Sequence, residues 1–197
     1  LVGLDPARAQ DMLDHLIAYL RATLSASRTA AHPLATEFQR VDDYLALMAV
    51  RMGPRLHVVL DLPEALRSLS VPPMLLQPLV ENAIKHGLEP QVQGGRIEVR
   101  ARQQGAQLWL TVRDTGVGLQ AATHPLSPPN PASPTAPAAH GGGGFGMAQV
   151  RERLATLYGP AASATLAPAE DAEGGTLVTL RLPLPPPFTL PAPLPAP

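Results

Sequence analysis

The chain has no cysteine among its 197 residues. That excludes a disulfide framework and a thiolate metal site, and it is compatible with a reducing compartment. Aromatic residues are scarce, at 4%, and neither sign of charge is in excess: 15 basic side chains face 16 acidic ones for a net charge of -1. With no long basic run, nothing in the electrostatics favours a nucleic-acid or membrane-surface partner, which leaves a small anionic ligand open. No apolar run approaches the roughly 20 residues that cross a bilayer, and no charged-then-apolar signal opens the chain, so a soluble, cytoplasmic domain is expected. The sequence begins at Leu1 rather than Met and enters a helical pattern at once. It therefore reads as a fragment of something longer, with room upstream for a sensor or membrane segment.

What the chain has in quantity is proline, 24 residues, and these must be concentrated outside regular structure. Six lie between 119 and 140, and eight of the fifteen residues from 183 onward are proline. The first stretch predicts a long functional loop, the second an extended tail that joins no core.

Elsewhere the periodicities are regular. Leu13, Leu16, Ile17, Leu20 and Leu24 predict a helix over about 5–28; Leu34, Phe38, Val41, Leu45 and Met48 predict another after His32-Pro33, stopped by Gly53-Pro54. The period drops to two at Leu56, Val58, Leu60 and Leu62, a strand. Leu75, Leu76, Leu79, Val80 and Ile84 carry a helix from Pro72-Pro73 to Gly87, with Pro78 either bending it or marking its first turns. A hairpin follows through Ile97 and Val99, then Leu108, Leu110 and Val112, with Gly105 between; after the loop come a helix through Met147, Val150, Leu154 and Leu157 and strands over 164–167 and 176–182. Runs of strands with helices kept to one side predict an α+β fold, a two-layer α/β sandwich preceded by a helical hairpin. The expected division is a helical segment at 1–54, a catalytic domain at 55–183 and a proline-rich tail at 184–197.

Three clusters carry chemistry. In Glu81-Asn82-Ala83-Ile84-Lys85-His86-Gly87 an α-helical period puts Asn82, Lys85 and His86 on one face, where an amide oxygen can complete a magnesium shell and a lysine and an imidazole can meet phosphate. In Asp114-Thr115-Gly116-Val117-Gly118, directly after a strand, an aspartate can accept from an exocyclic amine beside glycines that admit a flat ring. In Gly141-Gly142-Gly143-Gly144-Phe145-Gly146, opening a helix, free backbone amides and the helix dipole suit an anion. Each also admits a plain structural reading: a solvated helix face, a tight turn, a hinge.

Their order is more telling than any one of them. Helix-borne asparagine, strand-end aspartate, long loop and glycine-opened helix together resemble the Bergerat ATP-binding fold shared by histidine kinases, gyrase, Hsp90 and MutL proteins. Within that superfamily, the stretch 72–87 resembles the N-box of LytS-type sensor histidine kinases, Asp114 to Gly118 the G1 box, and Gly142 to Gly146 with Val150-Arg151-Glu152-Arg153-Leu154 the G2 box. Asp43-Tyr44-Leu45-Ala46-Leu47 with Arg51 and Arg55-Leu56 resembles that family's linker, so the likeness spans about 5–183. The resemblance implies a protein-histidine kinase catalytic domain using ATP and Mg2+. Asn82 would bind magnesium, Lys85 and His86 would contact phosphates, and Asp114 would hold the adenine amine. Gly116 and Gly118 would line the adenine pocket, Gly142, Gly144 and Gly146 would wrap the phosphates, and 119–141 would form the ATP lid. It further implies, as partners, the phosphoacceptor histidine region of a dimeric kinase and a response regulator. Gln149, Phe145 and Met147 depart from the family's usual residues.

In the ATPase branch a glutamate one turn before the asparagine activates water; here that place is Pro78, which cannot act as a base. Glu81 is about 100° around the helix from Asn82 and is poorly aimed to replace it. The family's acceptor motif, Pro-His-Phe-Leu-Phe-Asn, is absent: no histidine here precedes a phenylalanine, and His15, flanked by Asp14 and Leu16, reads as structural. The expectation is a domain that binds ATP and cannot phosphorylate itself. A gyrase-like ATPase module and a degenerate binding domain are the alternatives.

Overall fold

A computed structural model of the chain describes residues 31–121 and 144–184. The helix expected over 5–28, most of the proline-rich loop and the tail after Leu184 lie outside the described residues.

The described chain opens with a two-residue strand β1 (His32–Pro33) and helix α1 (Leu34–Met52). Leu34, Phe38, Val41 and Leu45 are buried along α1, and Gly53, at φ 61, ends it as the Gly-Pro signal predicts. Strand β2 (Leu56–Asp61) follows, then the short β3 (Ser70–Val71), which pairs antiparallel with β1. Helix α2 (Gln77–Asn82) runs into a π-helical turn at Ala83–Leu88. Strands β4 (Gly95–Gln104) and β5 (Gln107–Asp114) form the hairpin about Gly105; α3 (Gly118–Ala121) is a single turn. Helix α4 (Gly144–Tyr158), β6 (Ser163–Pro168) and β7 (Thr176–Pro183) complete the order.

Five strands make one sheet in the order β2-β4-β5-β7-β6. Every pairing in it is antiparallel except β2 with β4, which run parallel from Leu56↔Gly95 to Asp61↔Arg100. Parallel neighbours need a crossover, and the chain between Asp61 and Gly95 supplies one that lays α2 across the sheet. Alternation then sorts β4, β5 and β7: Ile97, Val99, Ala101, Leu108, Leu110, Val112, Val178, Leu180 and Leu182 are buried, while Arg100, Arg102 and Arg181 are exposed on the opposite face, whereas on β2 Val58 and Val59 are both exposed. The buried face joins one core cluster with Leu34, Phe38, Val41 and Leu45 of α1, Leu79 and Val80 of α2, and Met147, Val150 and Leu154 of α4. This is the two-layer α/β sandwich the pattern predicts.

The second helix departs from its expected bounds. Pro72 and Pro73 do not start it; Met74 takes a left-handed φ of 64, and helical bonding begins only at Gln77, with Pro78 in the first turn, where its missing N–H is no loss. Its second half is π rather than α, seen in the Glu89 N–H donated to the Ile84 carbonyl at 2.9 Å.

Candidate functional site

The alternation that buries Leu108, Leu110 and Val112 also turns the last residue of β5, Asp114, inward, where it is 1% exposed. Its carboxylate is held from two sides. Oδ1 accepts the Gly116 N–H at 2.8 Å, and Oδ2 accepts the Thr176 hydroxyl from the start of β7. Burial pushes the Asp114 carboxyl above the ordinary carboxylate range, against the pull of the Thr176 and Gly116 bonds and of the Arg113 charge.

In front of Asp114 opens a cleft. Leu79, Val112, Met147, Leu166 and Val178 give it apolar walls; Asn82 and His86 line it from α2 and the π turn. An apolar slot with one buried acceptor at its base and an amide and an imidazole along one wall suits a flat heterocycle bearing an exocyclic amine, with polar or anionic groups reaching Asn82 and His86.

Close backbone packing builds this geometry. A Cβ on Gly116 would stand 2.3 Å from the Gly87 carbonyl carbon, and one on Gly87 would stand 2.6 Å from Asp114 Oδ1. The Val117 N–H donates to the Gly87 carbonyl at 3.1 Å, joining the segment after β5 to the π turn. Neither Gly116 nor Gly87 has space for a side chain.

Of the residues singled out from sequence, Asn82, His86, Asp114 and Gly118 line the cleft. Gly116 packs on Gly87, outside the lining, and Gly146 packs against Asn82. Gly144 is the first residue of α4, and Gly142 lies outside the described residues. Lys85 is exposed and not among the lining residues. An α-helical period would set it beside Asn82, but a π turn advances less around the axis with each residue, so three steps stop short of that face while His86 comes onto it. Pro78 occupies the turn before Asn82, and Glu81 accepts a bond from Gln77 Nε2 at 2.9 Å.

Thr176 and Gly175 were not picked out from sequence. Gly175, at φ 92, lies so close to β5 that an added Cβ would stand 2.0 Å from the Asp114 carbonyl oxygen; it delivers Thr176 to the carboxylate. The signal was Gly174-Gly175-Thr176 directly before the last strand.

A family model described as "Histidine kinase-, DNA gyrase B-, and HSP90-like ATPase" matches residues 73–186, and one described as "Histidine kinase" matches residues 1–56. Among curated proteins the chain is 31% identical over 183 residues to sensor protein LytS of Staphylococcus haemolyticus, covering 93% of this chain and 30% of that protein. It is 29% identical over 158 residues to sensor histidine kinase YpdA of Escherichia coli, covering 80% of this chain and 26% of that one. The chain thus spans under a third of the length of these relatives. Among solved structures, the catalytic domain of histidine kinase ThkA in a nucleotide-free form superposes with a TM-score of 0.51 at 12% identity, covering 78% of this chain and 93% of that one.

Proposed function

This chain belongs to the histidine kinase-, DNA gyrase B- and HSP90-like ATPase family, the Bergerat-type ATP-binding fold, and from that premise we propose how it works as the catalytic domain of a sensor histidine kinase. Asp114 receives the adenine amine, and Asn82 and His86 face the phosphates and their magnesium. The observation that carries this reading is the buried Asp114 carboxylate at the base of an apolar cleft whose wall bears Asn82 and His86.

The donor set fits a phosphate-bound magnesium ion. Among the described residues no cluster of three His, Asp or Glu side chains could hold a metal by itself, whereas magnesium in nucleotide sites keeps waters and takes one or two protein ligands beside the phosphates. Asn82 would supply one such ligand, and bound magnesium would neutralise phosphate charge. Lys85, exposed on the same turn, reaches the phosphates through its long flexible stem, and the amides of Gly142, Gly144 and Gly146 cradle them. Segment 119–141 acts as the lid.

The phosphoryl group goes to a histidine upstream of this chain, on the helices through which such kinases dimerise, and from there to a response regulator. Positioning and charge neutralisation suffice for that transfer, and Pro78, standing where an ATPase needs its base, argues against hydrolysis. No described helix is long and apolar enough to cross a membrane, and a cytoplasmic placement of the domain follows from its use of ATP. Segment 1–54 is the remnant of the dimerisation and phosphoacceptor region, without the acceptor histidine, and 55–183 is the catalytic domain.

The test is labelling with γ-labelled ATP and magnesium. The chain alone should bind nucleotide, hydrolyse it slowly and stay unlabelled, and a version extended upstream through the acceptor helix should gain an acid-labile, base-stable phosphate. Brisk hydrolysis by the chain alone would favour the ATPase reading; label on His15 would show that the acceptor is already present.

A further inference from the structure

Helix α1 buries a second carboxylate, one that is not among the residues lining the cleft. Glu37, in α1, is 1% exposed. Its Oε1 accepts the Met74 N–H at 2.9 Å, and its Oε2 accepts the Leu75 and Leu76 N–H groups at 2.8 and 3.0 Å. His32 Nε2 is 2.9 Å and Arg40 Nη1 3.7 Å from Oε1.

These three amides precede the first helical residue, Gln77: Leu76 stands at the cap position, and Met74 and Leu75 lie in the turn before it. A Ser, Thr or Asp at the cap position commonly anchors a helix start, but the segment before α2 reads Pro72-Pro73-Met74-Leu75-Leu76, and Leu76 at the cap position has no side-chain bond to give. The anchor for the turn into α2 comes instead from another helix, 37 to 39 positions back in sequence. Glu37 also bonds Met74, the one described non-glycine residue at positive φ, and so holds the turn that sets where α2 begins. From there the bonding continues inward: the Leu79 and Val80 N–H groups donate to the Leu76 carbonyl at 3.1 and 3.0 Å, and Asn82 follows within the next turn.

We propose that Glu37 is a positioning residue of the nucleotide site: through the Met74, Leu75 and Leu76 amides it fixes the height and rotation of α2, ties α1 to that helix, and thereby sets where Asn82 stands in the cleft. The proposal rests on the phosphate-side role given to Asn82 above. It separates the two ends of the site, because Asp114 is placed by β5 and β7 rather than by the start of α2.

The experiment compares wild type with Glu37→Gln, which keeps the shape of the side chain and replaces one acceptor oxygen with a donor. Calorimetric titration with Mg-ATP should show about a tenfold loss in the variant, the usual effect of removing a group that orients a metal ligand. Titration with adenosine, which reads only the Asp114 end, should be unchanged. No loss for Mg-ATP, or equal loss for both ligands, overturns the proposal. Should Glu37→Gln fail to fold, His32→Gln, which removes one support of the carboxylate, must show a smaller loss with the same selectivity, and an unselective or absent one overturns it. The side-chain amide resonances of Asn82, recorded without ligand, separate this proposal from the nucleotide assignment. They should shift in the Glu37 variant even if wild type were to bind no nucleotide, and unshifted resonances would refute the tie.

Discussion

A Cβ on Gly146, in the first turn of α4, would stand 2.3 Å from Nδ2 of Asn82 and 2.9 Å from the Pro78 carbonyl oxygen. Helix α4 can approach α2 only because this position carries no side chain, and the approach brings Met147 to the cleft wall.

Gly146→Ala should therefore act on both stability and site. Forcing a methyl into that contact should destabilise the fold by about 1–3 kcal/mol and push the Asn82 amide from its place. Denaturant melts should show the loss, and Mg-ATP affinity should fall more than adenosine affinity; a variant with wild-type stability would mean that the helices part without cost.

Asp114→Asn should separate function from stability. The amide oxygen can still accept from Gly116, the amide nitrogen can donate to the Thr176 oxygen, and a buried charge disappears. The pKa of Asp114 is raised in the folded state, so its ionisation opposes folding increasingly as pH rises from the ordinary value of 3.8 and fully above the raised value, while well below 3.8 the group is neutral in both states. The variant should then equal or exceed wild type in melting temperature at pH 7, and its advantage should shrink as pH falls toward 3.8. Adenosine binding should be lost; inorganic pyrophosphate binding should persist.

Thr176→Val keeps the volume and removes the hydroxyl that donates to Asp114 Oδ2. Leaving that buried oxygen short of a donor should cost about 1–3 kcal/mol and raise the Asp114 pKa further. Carboxyl titration followed by infrared spectroscopy would check the direction of the shift.

The stability contributed by Glu37 should vanish in acid. Burial works to raise its pKa, but the His32 bond and the Leu76 and Met74 amides outweigh it and hold the carboxyl below 4.5. A lowered folded-state pKa means that the contribution is complete above the unfolded value and is lost as pH falls through the folded one. The stability gap between wild type and Glu37→Gln should be constant near neutrality and should narrow below pH 4.5. A gap independent of pH down to 3 would show that the carboxylate charge is irrelevant to that turn.

Much of this molecule follows from local pattern, because periodicity fixes which side of an element a residue occupies. The period of two through Leu108, Leu110 and Val112 extends to Asp114 and makes its burial legible before any fold is known. The 3.6-residue period through Leu34, Phe38, Val41 and Leu45 likewise places Glu37 on the buried side of α1, and Pro78 and Gly53 mark a helix start and a helix end as their backbones require. What the pattern cannot supply is the partner. That Glu37 anchors the turn before a helix almost forty residues away, that Thr176 closes on Asp114 across the sheet, and that β2 runs parallel to β4 all depend on how distant segments cross. Even the local reading fails at Lys85, where the turn widens from α to π beside the close contact of Gly87 with Asp114 and carries the lysine off the face that the sequence assigns to it. Side-chain direction is a property of the single element and so is written in its spacing; the choice of hydrogen-bond partner, and the exact pitch of a turn packed against another strand, are settled only when the elements meet.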